Sequence, residues 1–273
     1  MRRLPLKGLA AALPAALALV LAGGAAQAKN VCTVIADAAD GRVLVQEGDC
    51  ATRVTPASTF KVPLAVIGFD AGVLVDENTP SLPFRKGYPD WIEAWRQDTT
   101  PARWMEHSVL WYSQEIARAL GEERFGAYLH QLGYGNRDIS GDPGKNNALE
   151  RSWVSSSLKI SPLEQLSFLA RLYHRSLPVG RAAQDMTHRI IGSWSAGGWT
   201  VRGKTGSAFP RKADGSFDRA RGWGWFVGWA EKDGRALVFA RLDQDEKRTA
   251  GPGGMRARDL FLGEFPARGA SLD

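Results

Sequence analysis

Two short runs far apart in the chain, Ser58-Thr59-Phe60-Lys61 and Lys204-Thr205-Gly206, constrain the fold more than any other feature. A serine hydroxyl is a weak nucleophile until an adjacent group takes its proton. Residues three apart lie on one face of a helix, so Ser58 and Lys61 belong at a helix start. Lys204 closes a strand-like segment, Trp199 to Lys204. Together the two runs supply a nucleophile, its base and an anion clamp. The combination points to serine acyl transfer on a cyclic amide. A lone Ser-x-x-Lys is weak evidence, because most such pairs are solvated helix surface.

Ordered company makes the signal specific. Ser108-Val109-Leu110, Tyr134-Gly135-Asn136 and Trp153 lie in that order between the two lysine runs. Ser-x-x-Lys with Lys-Thr-Gly marks serine β-lactamases and penicillin-binding proteins. With the three further landmarks the chain resembles the class D, oxacillinase-type β-lactamases, from about Cys32 to about Phe265. One departure is Leu110, where that family usually carries Val. A class A enzyme would instead carry Ser-Asp-Asn and a glutamate base before the Lys-Thr-Gly strand, and neither stands in a fitting place.

Residues 1–28 read as a signal peptide: Arg2, Arg3 and Lys7 precede an apolar run, and Ala26-Gln27-Ala28 fits the small-residue cleavage rule. Residues 29–273 are expected to form a single serine β-lactamase domain, delivered to the periplasm. No Cys follows Leu21-Ala22-Gly23-Gly24, and no later apolar stretch reaches the ~20 residues that span a bilayer, so no membrane anchor is expected. Cleavage removes three basic residues and lowers the formal charge from +6 to +3. Basic residues are scattered rather than striped, which argues against nucleic acid as a partner. Cys32 and Cys50 flank the first predicted hairpin, in a chain bound for an oxidising compartment where disulfides persist. They are expected to pair, the alternative being two buried free thiols. His107, His130, His174 and His188 show no ligand spacing, and two cysteines leave too few ligands for zinc, so no metal is expected.

The pattern of elements is mixed α/β (α+β). A hairpin over Val31 to Ala36 and Arg42 to Gln46 turns at Asp40-Gly41, and an apolar helix follows over Ser58 to Asp70. Pro63 conflicts with a regular helix interior and predicts a local distortion. Thr100-Pro101 opens a helix over Ala102 to Leu120, and a second runs from Glu122 to Leu132, each closed by glycine. Tyr134 to Ser157 reads as a long functional loop. Ser161-Pro162-Leu163-Glu164 is a capping box that starts a helix to about His174. Strands then run over Trp199 to Lys204, Gly222 to Glu231 and Arg235 to Leu242, the last two joined by an Asp233-Gly234 hairpin signal. A helix over Met255 to Glu264 closes the chain. Early and late strands must share a sheet to bury their apolar faces, which gives an antiparallel sheet flanked by helices, with an all-helical region. Trp223, Trp225 and Trp229 alternate along a strand and read as sheet packing rather than a binding surface.

Roles follow from the resemblance. Ser58 is the nucleophile, and the backbone N–H groups of Ser58 and Ser207 hold the oxyanion. Apolar neighbours lower the pKa of Lys61, so that it is a free amine. The resemblance implies that carbon dioxide, from bicarbonate, adds to that amine, that the carbamate is the general base, and that the Trp153 indole holds it. No other cofactor is implied. Ser108 passes a proton to the leaving nitrogen, and Lys204 with Thr205 and Gly206 faces the substrate. Arg256 at the start of the last helix is the expected carboxylate anchor, with Arg258 and Arg248 close by. Leu110, Tyr134 and Trp95 are expected at the cavity wall and entrance. The substrate class is β-lactam antibiotics. The alternatives are a penicillin-binding sensor or a D,D-peptidase that is acylated without fast turnover. Substrate breadth, carbapenems included, and oligomeric state stay open.

Overall fold

The computed structural model describes residues 28–270, so the proposed signal peptide lies outside the described residues except for Ala28. Six strands form an antiparallel sheet in the order β2-β1-β6-β5-β4-β3. They are β1 (Lys29–Asp37), β2 (Val43–Gly48), β3 (Gly192–Ala196), β4 (Trp199–Ala208), β5 (Trp223–Lys232) and β6 (Arg235–Gln244). The first and last parts of the chain pair at β1 and β6, Cys32 to Asp37 running opposite Leu242 to Leu237. This is the sharing of one sheet by early and late strands that burial of their apolar faces requires. The Asp233-Gly234 signal forms the tight β5–β6 turn, with both residues at positive φ (50° and 82°).

Helices cover both faces. Among the described residues they are α1 (Lys61–Asp70), α2 (Pro101–His107), α3 (Leu110–Leu132), α4 (Ala148–Arg151), α5 (Pro162–Tyr173), α6 (Arg181–Ile190) and α7 (Gly253–Ala270). None is long and apolar enough to cross a membrane. Strand alternation splits the core in two. Trp225, Val227 and Trp229 face α1 and α5, whereas Phe226, Phe239 and Val201 pack with Phe261 and Phe265 of α7.

Several expectations change in detail. Ser58 lies in a 3₁₀ turn, Ala57–Phe60, and the α-helix begins only at Lys61. Pro63 thereby falls in the first turn of α1, where the backbone N–H has no intrahelical partner to lose. The irregularity is upstream of the proline rather than at it. The helix expected over residues 102–120 is two helices, because Ser108 adopts φ 58° and ends α2. The expected break at Gly121 is present as non-helical backbone inside α3 (φ 73°, ψ 163°). Sequence reading missed α4, α6 and β3. The first is a single turn inside the expected loop, the second carries six polar residues in ten, and the third is a Gly/Ser-rich segment of five residues. The capping box at Ser161 forms reciprocally: Glu164 N–H donates to Ser161 Oγ, and Ser161 N–H to Glu164 Oε2. Cys32 and Cys50 are joined as a disulfide, with Cα atoms 5.0 Å apart.

Candidate active site

Ser58 is the single gap in a buried run. From Val54 to Gly68 every residue is buried except Ser58, which is half-buried. The turn that presents it is over-determined. Ala57, just before it, is held at φ 51°, a conformation that costs a non-glycine residue ~1–3 kcal/mol. Ala57 N–H donates to Trp153 O at 3.1 Å, and Thr59 N–H to Pro56 O at 3.2 Å. Thr59 Oγ1 donates to Pro56 O and accepts from Gln165 Nε2. Phe60 is stacked on Trp153 and meets Tyr134 edge-on.

Lys61, on the first turn of α1, is 1% exposed, and its Nζ is buried without a hydrogen-bond partner. An unpaired ammonium there would be costly. Burial, and secondarily the charge of Lys204, hold its pKa well below the usual lysine range. Burial there favours the neutral amine over the ammonium.

The Lys204-Thr205-Gly206 strand reaches this turn because β3 is short. It pairs with β4 only from Trp199 to Gly203, so from Lys204 onward β4 has β5 on one side and no strand on the other. Lys204 and Gly206 share a sheet face with Val227 and Trp225, the face toward α1. A Cβ on Gly206 would stand 2.9 Å from Pro56 O and 3.1 Å from Thr59 N, so only glycine lets the strand lie this close to the turn of Ser58. On the other face Gly254, at the start of α7, lies against the Gly206 backbone, and its N–H donates to Ser207 Oγ at 2.9 Å. The Ser207 side chain thus caps α7. Lys204 is 5% exposed, and burial first, then Arg258, lowers its pKa to about 8. It keeps its proton at neutral pH.

Ser108 ends α2 in left-handed backbone and is half-buried, and Leu110 two residues on is the buried first residue of α3. Trp95 is buried, its Nε1 donating to His107 O beside Ser108, while Trp91 lies 5.5 Å from it and is 67% exposed. Tyr134 is fully buried between Phe60 and Phe168, behind the turn that presents Ser58. Gly135 and Asn136 close the following loop. A Cβ on Gly135 would run into Lys159 O, and Asn136 bonds Ser157 O and the Lys159 backbone. Trp153 is 1% exposed, and its carbonyl accepts from Thr55 Oγ1 and Ala57 N–H, which ties it to the segment entering the Ser58 turn.

Arg256 is already engaged. Its guanidinium grips both oxygens of Asp245 at 2.6 and 2.7 Å and donates to the carbonyls of Ala250 and Gly251. Arg258 lies over the Trp194 ring, on the α7 face that Thr205 shares with Phe226, and pairs with the exposed Asp259. Sequence reasoning missed Thr55, Gln165 and Asp245, whose types carry no positional signal. A cavity of about 580 Å³ opens beside Thr55, Ser155, Phe209, Arg211 and Trp223, behind the Trp153 loop rather than at Ser58.

Comparison with known proteins agrees with this geometry. Residues 31–261 match the penicillin-binding protein transpeptidase domain family. The chain is 46% identical over 237 residues to β-lactamase OXA-9 of Klebsiella pneumoniae, covering 86% of each, and 37% identical over 212 residues to β-lactamase OXA-1 of Escherichia coli, covering 76% and 74%. Its fold superimposes on that of the class D β-lactamase OXA-427 with a TM-score of 0.82 at 44% identity, covering 89% of this chain and 99% of that one. A half-buried serine followed one turn on by a buried, unpartnered lysine, under a strand edge bearing Lys-Thr-Gly and joined to relatives at this identity and coverage, places the chain in the class D serine β-lactamase family.

Proposed function

We propose that this enzyme hydrolyses β-lactam antibiotics through an acyl-enzyme on Ser58, with Lys61, carrying a carbamate, as general base. The observation that carries the reading is the Lys61 amine, buried and without a partner, its pKa lowered by that burial, on the helix turn that follows the one accessible side chain, Ser58. Such an amine is nucleophilic toward carbon dioxide. When bound, that group supplies an anionic base within reach of Ser58.

Ser58 Oγ attacks the lactam carbonyl and gives its proton to the base at Lys61. The C–N bond breaks, and Ser108 relays the proton taken from Ser58 to the departing nitrogen, which leaves the base free again. Water then attacks the ester, losing a proton to the same base, and Ser58 Oγ leaves with a proton. The backbone N–H groups of Ser58 and Ser207 hold the oxyanion in both halves. The Trp153 indole, a donor only, steadies the negative charge at Lys61. Lys204 and Thr205 receive the substrate carboxylate, together with an arginine of α7. The bidentate ion pair of Arg256 with Asp245 favours Arg258 for that contact. Leu110 lies at the start of α3, close to the Ser108 end of the site, and tunes water access. Trp95 and Tyr134 support the walls from behind. Cleavage after residue 28 and export to the periplasm complete the reading.

The test is turnover by the purified mature protein in bicarbonate buffer. Benzylpenicillin should be consumed many times per enzyme, a slowly released penicillin should add one drug mass to the peptide holding Ser58, and Trp153→Ala should need added bicarbonate. A single stoichiometric burst with no further hydrolysis would identify a penicillin-binding sensor instead.

A further inference from the structure

The segment that follows the Lys204-Thr205-Gly206 strand and the loop that carries Trp153 are joined through one arginine. Arg211 spends its guanidinium on three elements. Nε donates to Ser155 O at 3.0 Å, Nη1 to Gly215 O at 2.8 Å and Nη2 to Asp142 Oδ1 at 2.7 Å. Its flat face lies 4.6 Å from the centroid of Phe217. Asp142 in turn accepts from Asn147 Nδ2, and the Asp142 N–H donates to Asn147 Oδ1. The surrounding donors and cations hold its carboxyl below the usual aspartate range, although burial works against them.

The contact to Ser155 is the informative one. Ser155 stands two residues after Trp153, in left-handed backbone at φ 56°. Its N–H donates to Thr55 Oγ1, the same hydroxyl that donates to Trp153 O, and its Oγ accepts from Phe209 N–H. A turn in this conformation is held by its hydrogen bonds rather than by backbone preference. Packing holds Trp153 itself, which stacks on Phe60, but beyond it the 580 Å³ cavity lies along Ser155 to Ser157 and Ser140 to Pro143. Close packing is what ordinarily fixes a buried loop. Here the polar contacts must do it.

We infer that Arg211, with Asp142, is a positioning residue that fixes the Trp153 loop against the end of β4, so that the donor at Trp153 and the backbone of Ser207 keep one geometry about Ser58. The consequence for bicarbonate rests on the carbamate reading given above; the consequence for loop order does not. A lysine at 211 keeps a charge for Asp142 but loses the planar fork that serves Ser155 O, Gly215 O and Asp142 at once.

The test compares wild type, Arg211→Ala and Arg211→Lys by two readouts. In Arg211→Ala the bicarbonate concentration for half-maximal activity should rise about tenfold, the equivalent of ~1.4 kcal/mol, with KM for benzylpenicillin changed less than twofold. Arg211→Lys should fall between. Amide hydrogen exchange should quicken in residues 134–158 and 209–217 of Arg211→Ala, with α1 and β5 unchanged. Unchanged exchange in those two segments overturns the inference, as does a lowered Tm with an unaltered bicarbonate requirement in a wild type that is bicarbonate-dependent. A wild type indifferent to bicarbonate defeats the carbamate reading alone, and the clasp is then decided by the exchange data.

Discussion

Arg256 and Arg258 stand two residues apart in α7, yet their environments separate them. Arg256 already satisfies a carboxylate, Asp245, whose side chain is 7% exposed, and two loop carbonyls. Taking it for substrate would strand that aspartate. Arg258 pairs with the exposed Asp259, a partner that water replaces at little cost, and its charge is felt at Lys204. A hydrogen bond to a charged group contributes ~1.5–3 kcal/mol. Arg258→Ala should therefore raise KM for benzylpenicillin about tenfold or more with a smaller effect on kcat, as loss of a contact equally strong in ground and transition states does. Arg256→Ala should leave KM nearly unchanged and lower stability by about 3 kcal/mol, because breaking a buried pair leaves one charge uncompensated. Steady-state kinetics and denaturant unfolding decide the matter. A raised KM in Arg256→Ala with wild-type kinetics in Arg258→Ala returns the role to Arg256. At this scale the placement of Ser58, Lys61 and Lys204 at one strand edge was legible, because the spacing of the two runs set them on a turn and a strand. The pairing of Arg256 was not legible, since it depends on Asp245, eleven residues before it and brought to it by the fold.

Elements meet at Gly206, and the order of contacts there explains why a glycine follows the lysine and threonine. The 3₁₀ turn of Ser58 lies on one side of the strand and the N-terminus of α7 on the other. Both approach to backbone distance. An alanine at 206 would press on Pro56 O and Thr59 N, the groups that shape the turn, and small-to-large changes in a packed site typically cost ~1–3 kcal/mol. Gly206→Ala should accordingly slow acylation of Ser58 at least tenfold in stopped-flow measurements while the far-UV spectrum stays native. Acylation at the wild-type rate would mean that strand and turn are not in the contact described. Sequence patterning located β4, β5 and β6 to within a few residues, because alternation of apolar side chains reports a half-buried strand directly. It did not foresee that β3 begins opposite Gly203 and so leaves the edge of β4 open from Lys204 onward. A five-residue strand of Gly, Ser, Trp and Ala carries too little pattern to be read. The split at Ser108 was hidden for a related reason, since left-handed serine has no signature in its neighbours.

In the molecule as a whole the disulfide closes the edge of the sheet far from the chemistry. Cys32 lies on β1 opposite Gly48, and Cys50 follows two residues after β2 ends there, so the bridge clamps the β1–β2 hairpin at its open end. Cys50 O also accepts from Leu163 N–H in the first turn of α5, the helix whose Gln165 reaches Thr59 in the Ser58 turn. The bridge therefore steadies the frame under the site without touching it. A loop closed over 18 residues of sequence is worth ~3 kcal/mol in the chain-entropy picture. For a domain of this size each kcal/mol moves Tm by roughly 2–4 °C, so the Cys32→Ser, Cys50→Ser double variant should melt about 6–12 °C below the oxidised protein. Because β1 and β6 stay paired, kcat for benzylpenicillin at 25 °C should remain within about twofold. Calorimetry of the variant beside the oxidised and reduced wild type measures the first quantity, and initial rates the second. Equal melting temperatures for all three would show that the hairpin is already ordered in the unfolded ensemble. A large loss of kcat at 25 °C would place the bridge in the support of Thr59 through α5 instead.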